Sequence, residues 1–221
     1  MEGDGEMHKD IKETDREITE DLENSPLYKE FRDLKRRIKG TRHSRIEASK
    51  RLRRKNSYYE KITNFYSLIV LILSVWFLNQ SGEMGLLAAK ILLVLSLSLT
   101  YFTMFINAKN YKERAGNFET NYQQLDVLTN KLDRFEASQE VLTENKLKEF
   151  QREYEKLIIG KENHLNIDFY MSTPEKQKEF KEEIIKYKMV ESLFNALIAI
   201  YPILLLLLIY LFSKIIKMIN F

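Results

Sequence analysis

Cysteine is absent from the 221 residues of the chain, and glycine and proline are scarce, at seven and three residues. Without cysteine the chain can form no disulfide, no thiolate metal site and no cysteine nucleophile. No segment alternates apolar and polar residues with the period of two that is typical of a half-buried strand. Abundant leucine, isoleucine, lysine and glutamate instead favour long helices. The composition therefore predicts an all-α protein.

Motifs that mark common enzymes are also absent. The three histidines, His8, His43 and His164, are far apart in sequence, and the few glycines are isolated and form no phosphate-binding loop. Neither GxSxG nor HExxH occurs. Acidic residues are abundant, but they lie on charged helical segments where solvation explains them. We therefore expect a protein that is not an enzyme and that needs no cofactor or metal ion.

Two apolar segments lie back to back between Ile62 and Ile106, joined by the polar turn of residues 79–83. Each has about the 20 residues that a helix needs to cross ~30 Å of hydrocarbon. Since so short a connection allows only an antiparallel pair, we predict a transmembrane helical hairpin. The alternative is a buried hairpin in a soluble protein. Such helices normally show a polar stripe, however, and in the middle of the first segment only Ser67 and Ser74 are polar.

A third apolar segment covers residues 193–212, interrupted by Asn195 and Pro202. Residues 172–175 match a capping box with proline in the first turn, so a helix is expected to start there and run into this segment. More lysines precede the segment than follow it, which places its C-terminus outside. A segment that lies in the interface or re-enters the inner leaflet is the alternative. The predicted fold is an all-α membrane protein with a transmembrane helical hairpin, long cytoplasmic helices and a third C-terminal transmembrane helix.

Charge is strongly segregated near the N-terminus. Residues 1–31 carry eleven acidic and four basic side chains, whereas residues 32–55 carry twelve basic and two acidic ones. Basic residues this close to a span mark the cytoplasmic side, so the N-terminus is expected in the cytoplasm. Candidate contacts to lipid or ligand are Arg42, Arg45, Lys50, Arg51, Arg53, Arg54 and Lys55.

Three roles are open for this basic segment. It can attract anionic headgroups, at roughly 1 kcal/mol per basic residue. It can instead dock the chain's own acidic arm or a partner's acidic surface, or bind an anionic ligand such as a nucleotide. Nucleic acid is not an expected partner so close to a membrane.

Cytoplasmic helices are predicted on both sides of the hairpin. A helix starts at Ser25 and Pro26 and ends at Gly40, and a second one resumes near Ser44. The apolar face of the first is Leu27, Phe31, Leu34 and Ile38. The predicted divisions are an acidic mobile arm (1–24), basic cytoplasmic helices (25–61), the hairpin (62–107), a coiled-coil-like helix with a connector (108–171), and a helix leading into the third span (172–221).

An amphipathic helix of roughly fifty residues is predicted after the hairpin, from Tyr111 to about Ile159, where Gly160 ends it. So long a helix either projects from the membrane or bends near residues 137–140. Its apolar residues recur at heptad-like spacing, which predicts a seam between copies in a homo-oligomer. The seam candidates are Tyr111, Phe118, Tyr122, Leu125 and Leu132.

Polar side chains in the second span are candidates to line a pore. They are Lys90, Ser96, Ser98, Thr100 and Thr103. The alternative for the hydroxyls is helix packing, in which serine and threonine are common. Lys90 lies only a few residues inside its segment, so its amine can reach the outer headgroups instead.

Residues 48–61 (ASKRLRRKNSYYEK), the tight hairpin and residues 107–133 together resemble the SLATT family. This family is a two-membrane-helix effector domain associated with nucleotide-second-messenger and SLOG sensor genes of bacteria. The likeness covers roughly residues 30–160, and the third span lies outside it. The residues that fit the family's helix after the second span are Tyr111, Arg114, Phe118, Tyr122 and Leu125.

The resemblance implies a multi-pass effector of antiphage defence in the bacterial inner membrane. It implies a homo-oligomer that disrupts the lipid bilayer, as a pore, when a cyclic nucleotide or a sensor protein of a neighbouring gene signals. One alternative is a membrane-anchored coiled-coil scaffold for a soluble partner, without conduction. Another is a two-span ion channel such as a calcium uniporter, which would need an acidic motif at the hairpin turn, where only Glu83 stands.

Overall fold

The computed structural model describes residues 25–138 and 140–219. These residues form helices with no strand among them, as the composition predicts. The acidic arm predicted over residues 1–24 lies outside the described residues. In chain order the helices are α1 (Pro26–Trp76), α2 (Gly82–Ala108), α3 (Tyr111–Ala137), α4 (Glu144–Ile158), α5 (Asn166–Tyr170), α6 (Pro174–Glu179) and α7 (Lys181–Ile219), with a short 3-10 helix (Phe77–Asn79) after α1.

The predicted helix end at Gly40 is wrong, because α1 runs without interruption for 51 residues. Its start is as predicted: the Tyr28 amide donates to Ser25 Oγ at 3.3 Å. Gly40 does not adopt the positive φ that a glycine just past a helix end needs. A glycine inside a helix costs only about 1 kcal/mol relative to alanine. Burial of the apolar residues that precede it in the same helix outweighs this cost.

The long helix predicted from Tyr111 to Ile159 is divided into α3 and α4, so of its two expected forms the one that bends is found. Thr143 caps α4, accepting a hydrogen bond from the Lys146 amide at 3.3 Å. Leu142, in the connection, is only 4% exposed, which ties the turn to the core. Gly160 follows the end of α4 with a φ of +70°.

The described chain forms two units. The first takes the described parts of Met1–Glu47 and Asn117–Ser172, and the second takes Ala48–Gly116 and the described part of Thr173–Phe221. Helices α1 and α3 therefore each contribute residues to both units.

The first unit is a bundle in which α1, α3 and α4 each bury one apolar face. The predicted face of α1 is confirmed, since Phe31, Leu34 and Ile38 are at most 1% exposed. The rings of Phe31, Phe135 and Phe150 meet with centroids 5.6, 5.9 and 6.1 Å apart, a spacing at which aromatic pairs attract each other. The α3 and α4 side of the core, with the turn between them, is Leu125, Leu128, Leu132, Leu142, Leu147 and Phe150.

Charged pairs on the rim of this bundle set the register of α1 against α3. Lys35 of α1 contacts both Asp133 and Glu136 of α3. About two turns further along α1, Arg42 Nε lies 2.9 Å from Asp126 Oδ1. Exposed pairs of this kind stabilise by only about 0–1 kcal/mol each, so the buried apolar faces hold the bundle and the charges specify its alignment.

The predicted hairpin is formed by the C-terminal part of α1 and by α2. Its most apolar windows have mean hydropathies of 1.7 and 1.9, and only 0% and 11% of them are buried within the chain. A buried soluble hairpin would be covered by its own protein, so this exposure contradicts that alternative. The turn is tight: a Cβ on Gly85 would lie 2.5 Å from the carbonyl oxygen of Gln80, so any larger residue would move the turn backbone. Gly82 has a φ of +71°.

The third predicted span lies in α7, whose most apolar window has a mean hydropathy of 1.5 and is 6% buried. Thr173 caps the preceding helix as expected, its hydroxyl accepting from the Lys176 amide at 3.4 Å. The helix is not continuous from there, because α6 ends at Glu179 and α7 begins at Lys181. The described residues thus contain three helices long and apolar enough to cross a membrane.

Candidate functional site

Two tyrosines of α1 hold α7 by donating hydrogen bonds to its backbone carbonyls. The Tyr58 hydroxyl donates to the carbonyl of Asn195 at 2.7 Å, and the Tyr66 hydroxyl donates to that of Ala199. Pro202, which lies inside α7, has no amide hydrogen and leaves this part of the helix one donor short. Hydrogen bonds between membrane helices contribute about 0.6–1.7 kcal/mol each. The third span is therefore docked along α1.

Tyr201 of α7 completes this packing on the side of α2. Ser98 of α2 donates a hydrogen bond to the Tyr201 hydroxyl at 3.4 Å. The Tyr201 ring centroid lies 5.3 Å from that of Phe102 and 6.3 Å from that of Tyr66. One aromatic cluster thus joins α1, α2 and α7.

A polar face runs along the part of α1 that belongs to the second unit. Its members recur every three, four or seven residues, which places them on one side of a helix. This side differs from the side of Tyr66, which contacts α7. It also differs from the exposed apolar side, where Leu68 and Ile72 are 54% and 55% exposed. The polar face of α1 is Asn56, Glu60, Thr63, Ser67 and Ser74.

An equivalent polar face on α2 consists of Ser96, Thr100, Thr103 and Asn107. Each of its hydroxyls donates to a carbonyl of its own helix at 2.8 or 2.9 Å. Ser67 and Ser74 of α1 do the same at 2.8 and 2.7 Å. The hydroxyl protons are thus committed within the helices, while the oxygen lone pairs remain available. Toward its surroundings each hydroxyl is an acceptor.

The two polar faces meet in a groove of about 680 Å³, which we call the turn-distal groove because it lies at the end of the hairpin away from the Phe77–Asn79 turn. Of its lining residues only Ile106 is wholly apolar. The lining residues are Asn56, Glu60, Thr63, Asn64, Thr103, Ile106, Asn107, Asn110, Tyr111, Lys112 and Glu113. Its side chains offer several oxygens to water, among them those of Glu60, Thr63 and Thr103, although more of the lining surface is apolar than polar.

The five predicted pore-lining residues do not share one surface. Ser96, Thr100 and Thr103 lie on the polar face of α2. Ser98 is occupied by Tyr201. Lys90 lies three residues before Leu93 on the exposed apolar side of the helix. A pore-lining role for any of them stays a prediction.

The α1 half of the polar surface was missed at the sequence level. Its signal was present as the helical spacing that leads from Asn56 through Glu60 and Thr63 to Ser67. That row crosses the boundary drawn at residue 62 between a cytoplasmic helix and the hairpin. A segment boundary placed by hydropathy cuts through a face that is defined by helical periodicity.

The basic candidates of the first unit are Arg42 and Arg45. Arg42 Nε is close to Asp126 Oδ1 but lacks hydrogen-bond geometry there. Arg45 is 3% exposed, and its Nε has no hydrogen-bond partner among the described residues. Burial lowers the pKa of Arg45, opposed by the neighbouring Tyr154. In the described part of the chain, no group of three or more His, Cys, Asp or Glu side chains is placed to hold a metal ion.

The basic candidates of the second unit differ in exposure. Lys55 is partly buried, and its Nζ lies 3.1 Å from Glu191 Oε1 of α7. Arg51 is buried, at 8% exposed. Lys50, Arg53 and Arg54 are exposed. Contact of these three side chains with headgroups or a ligand stays a prediction.

The seam candidates pack against residues of the same chain. Leu125 and Leu132 are 0% exposed and belong to the core of the first unit, where α3 packs against α1 and α4. Phe118 is 2% exposed, and Tyr111 stacks on Tyr59 with centroids 5.6 Å apart. Tyr122 is half-buried. A seam between copies would have to exchange these contacts for intermolecular ones, and it stays a prediction.

A family model described as SMODS and SLOG-associating 2TM effector domain family 5 (SLATT_5) matches residues 27–214. The match extends beyond residues 30–160, to which the resemblance was confined, and takes in the third apolar segment. No curated protein and no solved structure matches the chain. The family is a two-transmembrane effector domain associated with defence systems, of a kind not known as enzymatic. Since the match covers most of its length, the chain belongs to the SLATT family, as a member of its family 5.

Proposed function

We propose that the chain is a non-enzymatic effector of bacterial antiphage defence that oligomerises in the inner membrane and opens a pore when a sensor signals. The observation that supports this most is the pair of polar faces on α1 and α2, none of whose residues the chain buries. The hydroxyls donate to their own helices, so what is open on these faces is oxygen lone pairs. Lipid offers no donor to them at that depth, whereas water or another copy does. Membership of the SLATT family supplies the link to defence.

The proposed topology places the N-terminus in the cytoplasm and the C-terminus outside. Lys50, Arg53 and Arg54 are exposed and lie within 15 residues of the first span, where basic residues direct orientation. With this orientation the turn-distal groove opens at the cytoplasmic surface and the Phe77–Asn79 turn lies outside.

The contact between copies is proposed to lie in the second unit, at the edges of its polar faces, so that the faces themselves line the path. No residue of these faces is buried, and four of them are exposed, namely Glu60, Ser67, Thr100 and Asn107. Leu125 and Leu132 of the predicted seam are instead enclosed in the first unit. The signal, from a sensor protein or a cyclic nucleotide, is proposed to act on the first unit, because α1 and α3 contribute residues to both units. Such a ligand shifts the assembly only if it binds the open and closed forms with different affinity.

The test is membrane potential in bacteria that express the chain together with its sensor. Triggering the sensor should depolarise the cells and halt growth. Thr100→Val with Thr103→Val replaces two hydroxyls of the polar face by methyl groups of similar shape, and should preserve the potential at an equal membrane level. Leu97→Val, on a side that is 61% exposed, is the control and should behave as the unaltered chain does.

Two results would argue against the proposal. Retention of a potential-sensitive dye throughout triggering would exclude a pore. If in addition one soluble protein co-purifies at a fixed stoichiometry and overproduction is harmless, the chain is a membrane-anchored scaffold. A variant pair that depolarises as well as the control would show that the polar faces do not line the path.

A further inference from the structure

The hydroxyls along the hairpin can accept hydrogen bonds from outside their helices, but their protons are already used within the helices. Because Ser67, Thr100 and Thr103 donate to their own helices, they meet any passing species with lone pairs only. Oxygen lone pairs attract a hard cation such as an alkali-metal ion and accept hydrogen bonds from its water. An anion would need donors instead. The faces therefore suit cations and water.

The turn-distal groove adds full charges to this surface. Glu60 on α1 and Glu113 on α3 line it, opposed by Lys112 alone. The groove's carboxamides, such as that of Asn107, have both an oxygen acceptor and N–H donors, so the charged residues decide the sign of the ion. A cleft with an excess of one charge sign concentrates counter-ions at its mouth. The groove thus attracts cations to the end of the two polar faces.

Lys90 does not offset this preference along the faces. Its helical position groups it with Leu93 and Leu97, which are 59% and 61% exposed, and separates it from Thr100 and Thr103. Its charge is therefore directed away from the polar surface, toward the side where a long side chain can extend to headgroups.

We infer that the turn-distal groove is the cation-attracting mouth of the path, and that hydrated alkali-metal cations pass in preference to anions. This inference rests on the proposed pore. In a closed ring each copy contributes the same residues, so Glu60 recurs around the axis and forms a ring of carboxylates. Such rings select cations by charge without binding them tightly enough to stop passage.

The experiment uses the full chain together with its triggered sensor, as in the test of membrane potential, in planar bilayers with a gradient of potassium chloride. The reversal potential gives the ratio of potassium to chloride permeability. The unaltered chain should prefer potassium several-fold. Glu60→Gln should lower the ratio and Glu60→Lys should lower it further, towards chloride preference. Lys112→Gln should raise it, because the opposing charge is removed. Glu140→Gln makes the same change of charge in the exposed connection between α3 and α4, and should leave the ratio unchanged.

A variant that adds a charge is needed as well, because a Glu60 variant that misfolds could lose its ion preference for reasons unrelated to charge. Asn107→Asp keeps the shape of the side chain, adds a carboxylate to the groove and should raise the preference for potassium. Currents that show no preference, or the same preference in Glu60→Lys and in Glu140→Gln, would overturn the cation inference while leaving the pore intact. Complete absence of current from every variant would overturn the pore and the inference together.

Discussion

The first unit buries its apolar residues within the chain, whereas the second leaves most of its own exposed. The nine residues that form the core of the first unit are at most 4% exposed. In the second unit the apolar windows of α1 and α7 are 0% and 6% buried. Water therefore drives the packing of the first unit, and the second depends on lipid and on a few hydrogen bonds. One chain thus contains two regions that should respond differently to the same substitution.

The largest expected effect is a matched leucine truncation in each unit. Leu132→Ala leaves a cavity in a fully buried core and should destabilise the first unit by about 2–5 kcal/mol. Since each 1.4 kcal/mol is a factor of ten, hydrogen-exchange protection of the α3 and α4 amides should fall at least about 30-fold in detergent micelles or nanodiscs. Leu97→Ala, at a position that is 61% exposed in the second unit, should leave that protection unchanged.

The same pair of variants tests the heptad seam. If Leu132→Ala leaves protection intact but dissociates crosslinked oligomers, the heptad residues act between copies, as the sequence pattern predicts. If protection falls first and oligomers form normally, the seam is an intramolecular core and the copies meet elsewhere.

The first unit was largely predictable because its helices are amphipathic. The face of Phe31, Leu34 and Ile38 follows from spacing alone, since water on one side enforces the periodicity. Two features of the first unit were not predicted correctly from the sequence. Gly40 carries the local signal of a helix end, which packing of the surrounding helix overrides. Heptad spacing shows that Leu125 and Leu132 face another helix, but it does not show whether that helix belongs to the same chain.

The second unit was predictable in its spans and much less so in its surfaces. Hydropathy locates apolar segments, but a helix that is apolar on two of its sides gives little indication of which side meets protein. The docking of α7 depends on Tyr58 and Tyr66, whose carbonyl partners lie 137 and 133 residues away in sequence. Every residue has a backbone carbonyl, so the sequence does not show which residue accepts the hydrogen bond of such a tyrosine.

A smaller effect is expected from the hydrogen bonds that hold α7. Tyr66→Phe removes the donor to the Ala199 carbonyl and should cost about 0.6–1.7 kcal/mol of docking free energy. Because the chain has no cysteine, spin labels can be attached at Leu71→Cys in α1 and Leu207→Cys in α7 without other changes. The distance distribution between the labels should broaden or gain a second population.

Tyr101→Phe is the matched control for this change. Tyr101 is 75% exposed on α2, so loss of its hydroxyl should leave the distances unchanged. Identical distributions for Tyr66→Phe and Tyr101→Phe would show that apolar packing alone, including the cluster around Tyr201, holds the third span. The second unit would then resemble the first in relying on shape more than on hydrogen bonds.

The smallest effect is expected at the rim of the first unit, and it depends on pH. The hydrogen bond from Lys35 holds the pKa of Asp133 below its ordinary value of 3.8. A carboxylate whose pKa is depressed by folding stabilises the protein above its unfolded pKa, and this stabilisation is lost as the pH falls through the folded pKa. The side chain of Asp133 is 44% exposed, which screens the pair and limits its contribution to about 0–1 kcal/mol.

Asp133→Asn should therefore lower hydrogen-exchange protection of the first unit by at most about fivefold near neutral pH. Asp33→Asn, at an exposed pair with Arg36 within one helix, should do less. On acidification below the folded pKa of Asp133, protection of the unaltered chain should converge on that of Asp133→Asn, because both then carry a neutral side chain. Protection ratios that do not change with pH would show that the ion pair aligns α1 and α3 without stabilising them.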